Sequence, residues 1–125
     1  MRRTTTLRLG ASFGALGVVA GAFGAHALKA HLSAEDLATH ETAARYLLIH
    51  ALGLCVIAAC GDGRRLRLAA TAMAIGTAIF SGSLFALVLS GLRWLGAITP
   101  IGGVLMIAGW ILLATASLPS DDAAA

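Results

Sequence analysis

Charged residues are scarce in this sequence. Asp, Glu, Lys and Arg make up only 12% of its 125 residues, whereas 58% are hydrophobic, and the mean hydropathy is +0.88. A soluble domain carries about 25% charged residues. Because the apolar residues also form long blocks instead of alternating with polar ones, the composition predicts a polytopic membrane protein. The length allows one domain, so we expect a single membrane domain over residues 1–125.

Cysteines and patterned metal ligands are few as well. Cys55 and Cys60 lie five residues apart on one predicted helix, so their side chains point to different faces and cannot form a disulfide within it. His40, Glu41 and His50 have no recognised metal-ligand spacing. No set of nucleophile, base and orienting group emerges from the sequence. We therefore predict no catalytic residue, no metal and no cofactor, and we expect a protein that is not an enzyme.

A basic stripe with interleaved aromatic residues, which would indicate nucleic-acid binding, is also missing. Six of the nine basic residues form two groups, each next to an apolar block: Arg2, Arg3 and Arg8, and Arg64, Arg65 and Arg67. This pattern argues against nucleic acid as a partner and follows the positive-inside rule of membrane proteins, which puts both termini in the cytoplasm. We expect the bacterial inner (plasma) membrane as the location and the lipid bilayer as a partner.

The sequence does contain four apolar segments of about 20 residues, each enough to cross the roughly 30 Å hydrocarbon core as a helix. We predict crossings at residues 9–28, 42–60, 68–90 and 99–118, an amphipathic start of the second helix at 34–41, and a polar tail after Pro119. Ser33 and Thr99 are expected to cap the second and fourth helices. The predicted fold is all-α, an antiparallel up-down four-helix bundle in the membrane.

Glycine spacing in the first segment predicts helix packing. Five glycines follow one another at intervals of four and three residues: Gly10, Gly14, Gly17, Gly21 and Gly24. This spacing places them on one helix face, where small residues let a neighbouring helix approach closely in a bilayer. We predict the same role for four more glycines: Gly82, Gly102, Gly103 and Gly109.

The first segment also has an alternative interpretation. Its basic start, its apolar stretch and Ala25-His26-Ala27 resemble a secretory signal peptide with a cleavage site. The glycines favour a retained helix, because a discarded signal has no use for a packing face.

Polar residues are expected to gather in the outer half of the bundle. Counting along antiparallel helices places His26 near the membrane boundary and His50 roughly 12 Å below it, at 1.5 Å per residue. The predicted polar cluster has seven members: His26, Glu41, Arg45, Tyr46, His50, Ser81 and Ser83. Trp110 is expected near mid-membrane, where its indole N–H needs an acceptor.

Members of the cluster have structural and functional interpretations. His50 is either a neutral imidazole that joins helices through a hydrogen bond or a group that binds a ligand or relays protons. Arg45 either reaches toward the interface or pairs with Glu41, four residues before it. Ser81 and Ser83 are expected to bond to carbonyls of their own helix.

The same stretches resemble a family of small four-crossing membrane proteins of unknown function, the YgdD-like and YwdK-like proteins. Gly21-Ala22-Phe23-Gly24-Ala25-His26 is similar to the first-helix motif of that family. The similarity continues through Glu41-Thr42, Tyr46, His50, Phe80-Ser81-Gly82-Ser83-Leu84, Leu92-Arg93, Thr99-Pro100, Gly102-Gly103 and Gly109-Trp110. Ala43 and Leu47 depart from it, standing where relatives carry glycine and often a polar residue. The resemblance implies a four-helix integral membrane protein and implies no activity.

Three hypotheses about function follow, of which a membrane enzyme or metal site has the least support. The first is a non-enzymatic structural or accessory role, with a membrane-protein partner or as a homo-oligomer. The alternative is a small oligomeric transporter or channel that uses a polar layer of His26 and His50. Transport requires a water-accessible path to His50, whereas an accessory role requires a small-sided or polar face left exposed toward the membrane.

Overall fold

Four long helices form the computed structural model of the protein, which describes residues 1–119: α1 (Arg3–Phe23), α2 (Ala34–Cys60), α3 (Arg64–Ser90) and α4 (Thr99–Ala114). A π-helical turn, Gly24–Leu28, extends α1, and a 3-10 turn, Arg93–Ala97, precedes α4. With these turns, all four helices are long and apolar enough to cross a membrane. The predicted all-α fold with four crossings is confirmed. The predicted polar tail lies outside the described residues.

A local sequence signal accounts for the start of α2 but not for that of α4. Ser33 caps α2, because its hydroxyl accepts a hydrogen bond from the backbone N–H of Asp36 at 3.1 Å. The expected cap by Thr99 is wrong, since Thr99 is already the first residue of α4 and no side chain caps that end. The third helix begins at Arg64, four residues before the predicted start of its membrane crossing. The fourth ends at Ala114, before the predicted residue 118.

Neighbouring helices run in opposite directions. A β-carbon placed at Gly10, early in α1, lies 2.9 Å from Sγ of Cys55 near the end of α2. A β-carbon placed at Gly24, just after α1, lies 2.6 Å from the ring of His40 near the start of α2. The same reversal relates α2 to α3 and α3 to α4. The bundle is therefore antiparallel and up-down, as predicted.

The centre of the bundle is formed by α2 and α3. Half of the most apolar 18-residue stretch of α2 is buried, compared with 11% for the first helix. The first helix packs mainly on α2, and α4 packs mainly on α3. The largest fully buried side chains lie on the two central helices: Leu54, Ile57, Met73 and Thr77. Both flanking helices consequently keep wide faces toward the membrane.

Of the five glycines on one face of the first helix, the first, third and fifth pack most closely against α2. β-carbons placed at Gly10, Gly17 and Gly24 lie 2.9, 2.7 and 2.6 Å from atoms of that helix. Gly14 and Gly21 form a second row, turned by about 40° because four residues exceed one helical turn. A β-carbon at Gly14 is in ordinary contact at 3.8 Å, and one at Gly21 meets nothing within 4 Å. Gly82 also faces open space, so the expected packing contact is absent at Gly21 and Gly82.

The closest helix crossing is between α3 and α4, where Gly102 faces Gly76. A β-carbon placed at Gly102 lies 2.5 Å from the backbone nitrogen of Phe80 and 2.6 Å from the carbonyl oxygen of Gly76. Gly109 and Gly103 also face α3, at 3.0 and 3.9 Å. Because the nearest atoms at Gly102 belong to backbone, this crossing tolerates no larger residue.

Candidate functional site

His50 lies inside the bundle with both ring nitrogens occupied. Only 5% of the residue is exposed. Its Nδ1 lies 2.7 Å from the carbonyl oxygen of Tyr46, and its Nε2 lies 3.1 Å from the indole nitrogen of Trp110. A carbonyl only accepts and an indole N–H only donates, so Nδ1 carries the proton and Nε2 accepts. His50 is therefore a neutral imidazole in this arrangement.

Aromatic rings surround this histidine and connect three helices. The Tyr46 ring stacks on His50 with centroids 5.9 Å apart, and the Trp110 ring meets His50 edge-on at 5.9 Å. The Tyr46 ring also packs against the ring of Phe80, with centroids 4.6 Å apart. These residues come from α2, α3 and α4, so the group joins the central pair of helices to the outer helix α4.

The two serines of the predicted cluster serve as links between helices. Ser81 donates to the carbonyl oxygen of Ala43 at 2.8 Å, across from α3 to α2. Its expected bond within its own helix is not formed, because the completely buried Ala43 brings the α2 backbone within reach. Ser83 does bond to the carbonyl of Phe80 in its own helix at 3.0 Å, and its hydroxyl also lies 2.7 Å from that of Thr99 in α4.

His26, Glu41 and Arg45 lie apart from this buried group. All three are exposed, because they stand on outward faces of their helices. The ion pair found among residues 1–119 joins Arg93 to Asp36 at 3.0 Å, and Glu41 does not pair with Arg45. Of the two options for Arg45, the structure therefore favours a side chain that reaches toward the interface.

A second buried histidine lies nearer the α1–α2 connection. His40 is 7% exposed, and its Nε2 donates to the carbonyl oxygen of Ala20 in α1 at 2.8 Å. The ring fits over Gly24 and meets Phe85 of α3 at a centroid distance of 5.1 Å. The predicted cluster omitted His40, although it shares the inward face of α2 with Ala43, which is a signal that the sequence contains.

We call the buried polar side chains described above, those of His40, His50, Ser81 and Ser83, the polar layer. Their hydrogen bonds limit the chemistry that they can perform. Every fully buried side-chain nitrogen or oxygen in the described part of the chain has a partner. Within the same residues, no group of three His, Cys, Asp or Glu side chains is placed to hold a metal ion. The buried hydroxyls of Thr77 and Ser81 donate to carbonyls. The arrangement suits helix-to-helix connection.

A protein family matches this chain over residues 20–103, and its description is "Protein of unknown function (DUF423)". The chain belongs to this family. UPF0382 membrane protein SERP0230 of Staphylococcus epidermidis is 44% identical over 112 residues, which cover 88% of this chain and 92% of the relative. YwdK of Bacillus subtilis is 40% identical over 114 residues, covering 88% and 93%. No protein of solved structure matches.

An inner membrane protein is also among the relatives of this chain. The UPF0382 inner membrane protein YgdD of Escherichia coli is 38% identical over 100 residues, 77% of this chain and 76% of the relative. The resemblance to YgdD-like and YwdK-like proteins is thus confirmed, as are the multi-pass architecture and the inner-membrane location. The family description names no activity, so any role of the polar layer has to be argued from its geometry.

Three side chains that the predicted cluster left out belong to the polar layer or bond to it in this DUF423 protein: His40, Thr99 and Trp110. The need of Trp110 for an acceptor was visible in the sequence, but the identity of that acceptor was not. Pairing partners depend on how each helix is rotated about its axis, and hydropathy alone does not set that rotation.

Proposed function

We propose that this protein is a non-catalytic accessory protein of the membrane, which acts by packing a face of its bundle against a transmembrane helix of a partner. The observation that carries the proposal is a difference between the two flanking helices. One of them exposes a row of alanines, with Leu7 and Val18 on the same face, whereas the other exposes mainly bulky residues.

The small-sided face belongs to α1, on the side turned away from its glycine contacts with α2. Exposed alanines recur along it at close to helical spacing: Ala11, Ala15, Ala22 and Ala25. Small side chains let another transmembrane helix approach closely, which is how helices associate where no hydrophobic force drives them together. We call these four residues the alanine face.

The opposite flank is unsuited to such an approach. Exposed residues of α4 are large and apolar: Ile101, Val104, Ile107 and Ile111. Bulky aliphatic side chains resemble lipid tails and give no close backbone contact. The partner, whether another protein or a second copy of the chain, is therefore expected on the α1 side.

Saturated hydrogen bonding supports a role without catalysis. A covalent catalyst needs a nucleophile within reach of a base that a third group orients. The buried hydroxyls of Thr77 and Ser81 instead donate to the carbonyls of Met73 and Ala43 at 2.7 and 2.8 Å. The Nε2 atom of His50 is occupied by an indole, which leaves it no free lone pair for proton abstraction.

The transport alternative finds less support. A proton or solute path needs water at His50, but its ring is buried and bonded at both nitrogens. His26, the other member of the proposed layer, is exposed and does not take part in that bonding. Three cavities in the described part of the chain are lined by other residues than His50.

We further propose that both termini face the cytoplasm. Arg3 donates to the carbonyl oxygen of Ala58 at 2.7 Å, and Arg65 donates to that of Thr115 at 3.2 Å. These bonds bring the two arginine groups and the end of α4 to one end of the bundle. An end that carries six arginines is expected on the cytoplasmic side.

Co-purification from native membranes tests the partner proposal. A tagged protein is isolated in mild detergent, and associated proteins and copies of the chain are quantified by mass spectrometry. Ala15→Phe with Ala22→Phe, which fills the alanine face, should lose the partner that the wild type retains. Val104→Phe with Ile111→Phe on α4 is the matched control and should retain it. Equal recovery from both double variants would contradict the proposal.

A further inference from the structure

A long apolar groove runs between α1 and α3, with α2 as its floor. Its volume is about 480 Å³. Aromatic and aliphatic side chains form most of the wall, among them Phe13 and Phe23 of α1 and Phe85 and Leu89 of α3. His40 of α2 lines the groove near the α1–α2 connection. We call this cavity the α1–α3 groove; it lies on a different side of α1 from the alanine face.

His40, which lines this groove, has one ring nitrogen without a partner. The Nε2–H of His40 donates to a carbonyl, so the ring is in the tautomer whose Nδ1 is an acceptor. Nδ1 has no hydrogen-bond partner among residues 1–119, and it is not among the fully buried atoms, all of which are paired. The Cδ2–Nε2 edge of the ring faces Gly24. The acceptor is consequently on the opposite edge of a residue that is more than nine-tenths buried and lines the groove.

The dimensions of the groove select its occupant. From Thr77 to Leu89, α3 follows it for about 18 Å at 1.5 Å per residue, which is close to half of a hydrocarbon core roughly 30 Å thick. Division of the volume by this length leaves a width of roughly 5 Å. A helix is about 10 Å across and does not fit. One hydrocarbon chain fits, since its carbons pack roughly 4 Å from their neighbours.

We propose that the α1–α3 groove binds a single-chain amphiphile, a long hydrocarbon chain whose head carries a hydroxyl that donates to Nδ1 of His40. The chain lies along the aromatic walls within one leaflet, and the hydroxyl ends at the level of His40. A head without a donor leaves Nδ1 unpaired, so the site distinguishes an alcohol from an otherwise equal chain. The alanine face stays free for a partner helix while the groove is filled.

Native mass spectrometry of the full chain in detergent tests this site. The probes are hexadecanol and its control, hexadecyl methyl ether, which has the same chain and no donor. One hexadecanol per chain should bind, roughly fivefold more tightly than the ether, as one hydrogen bond allows. Equal affinity for the two probes, or binding of neither, would overturn the proposal.

Two glycine variants locate the bound chain. Gly82 lines the groove, whereas Gly21 does not, and a side chain added at either position meets open space. Gly82→Leu should reduce hexadecanol binding at least tenfold, and Gly21→Leu should leave it unchanged. Unchanged binding in Gly82→Leu contradicts the assignment. So does a dimer that Gly82→Leu abolishes, because a second copy then occupies the groove.

His40→Phe tests the head contact. The variant keeps an aromatic ring over Gly24 but has no acceptor. Its affinity for the ether should equal that of the wild type, which shows that the groove is intact, while the preference for hexadecanol disappears. A preference that persists in His40→Phe means that another group binds the hydroxyl and overturns the role of His40. If His40→Phe loses the ether as well, His40→Trp, whose indole N–H can donate to Ala20 and which has no acceptor, replaces it, and a preference for hexadecanol there contradicts the assignment.

Discussion

The indole nitrogen of Trp110 donates to Nε2 of His50 across 3.1 Å and thereby links α4 to α2. The rest of α4 packs mainly on α3, so this bond extends past α3 to the other central helix. His50 in turn donates to the carbonyl of Tyr46 in its own helix. A polar side chain in the membrane interior is here part of the packing, because each of its hydrogen-bonding atoms is used inside the bundle.

Loss of the indole donor should destabilise the bundle. Trp110→Phe keeps an aromatic ring but leaves Nε2 of His50 buried without a partner, which costs about 1–2 kcal/mol of unfolding free energy. The measurement is a denaturant titration in mixed micelles followed by circular dichroism. Trp94→Phe is the control, because Trp94 is 62% exposed and such surface changes stay within about 0.5 kcal/mol. Equal effects of the two variants would show that the bond contributes nothing.

Substitution by alanine should change the stability of the bundle differently at Gly102 and at Gly82. At Gly102 a β-carbon lies 2.5 Å from the Phe80 nitrogen, so Gly102→Ala forces α3 and α4 apart at a cost of roughly 1–3 kcal/mol. At Gly82 the same group meets open space, and Gly82→Ala should be neutral or stabilising by up to about 1 kcal/mol through helix propensity. The same titration measures both. If Gly102→Ala is as stable as Gly82→Ala, the close crossing is incorrect.

Accessibility of introduced cysteines should reveal the orientation. In a background without Cys55 and Cys60, Asp62→Cys between α2 and α3 is expected to react with a membrane-impermeant maleimide only after the cells are permeabilised. Ala30→Cys, in the connection between α1 and α2, should react in intact cells. This outcome follows from the arginine groups at the start of α1 and α3. Labelling of Asp62→Cys alone in intact cells would reverse the proposed orientation.

The sequence predicted correctly those features that depend on residues close together in the chain. The start of α2 after Ser33 is correct because a capping hydroxyl acts on an N–H only three residues away. Contacts at Gly10, Gly17 and Gly24 follow from helical periodicity. The periodicity did not reveal that Gly21 falls in the row turned away from α2, since that depends on where the neighbouring helix lies.

The polar layer was harder to predict, because its partners are far apart in the chain. His50 and Trp110 are separated by 60 residues, and Ser81 and Ala43 by 38. Counting depth along the helices placed Ser81 level with His50, but Ser81 bonds to Ala43, which is seven residues and about 10 Å before His50 on α2. Depth says nothing about rotation, however, and rotation turned Glu41 and Arg45 outward on the helix that turns His50 inward.

The sequence by itself determined the class, the number of crossings and their antiparallel order. Those properties depend on the length and apolarity of each segment, and a backbone in lipid has to satisfy its own hydrogen bonds as a helix whatever its neighbours are. Only the tertiary structure decided that His50 receives the indole of Trp110, that His40 lines the α1–α3 groove, and that the alanine face remains uncovered. These features depend on how each helix is rotated and how closely it approaches its neighbours. Packing between residues far apart in the chain determines both.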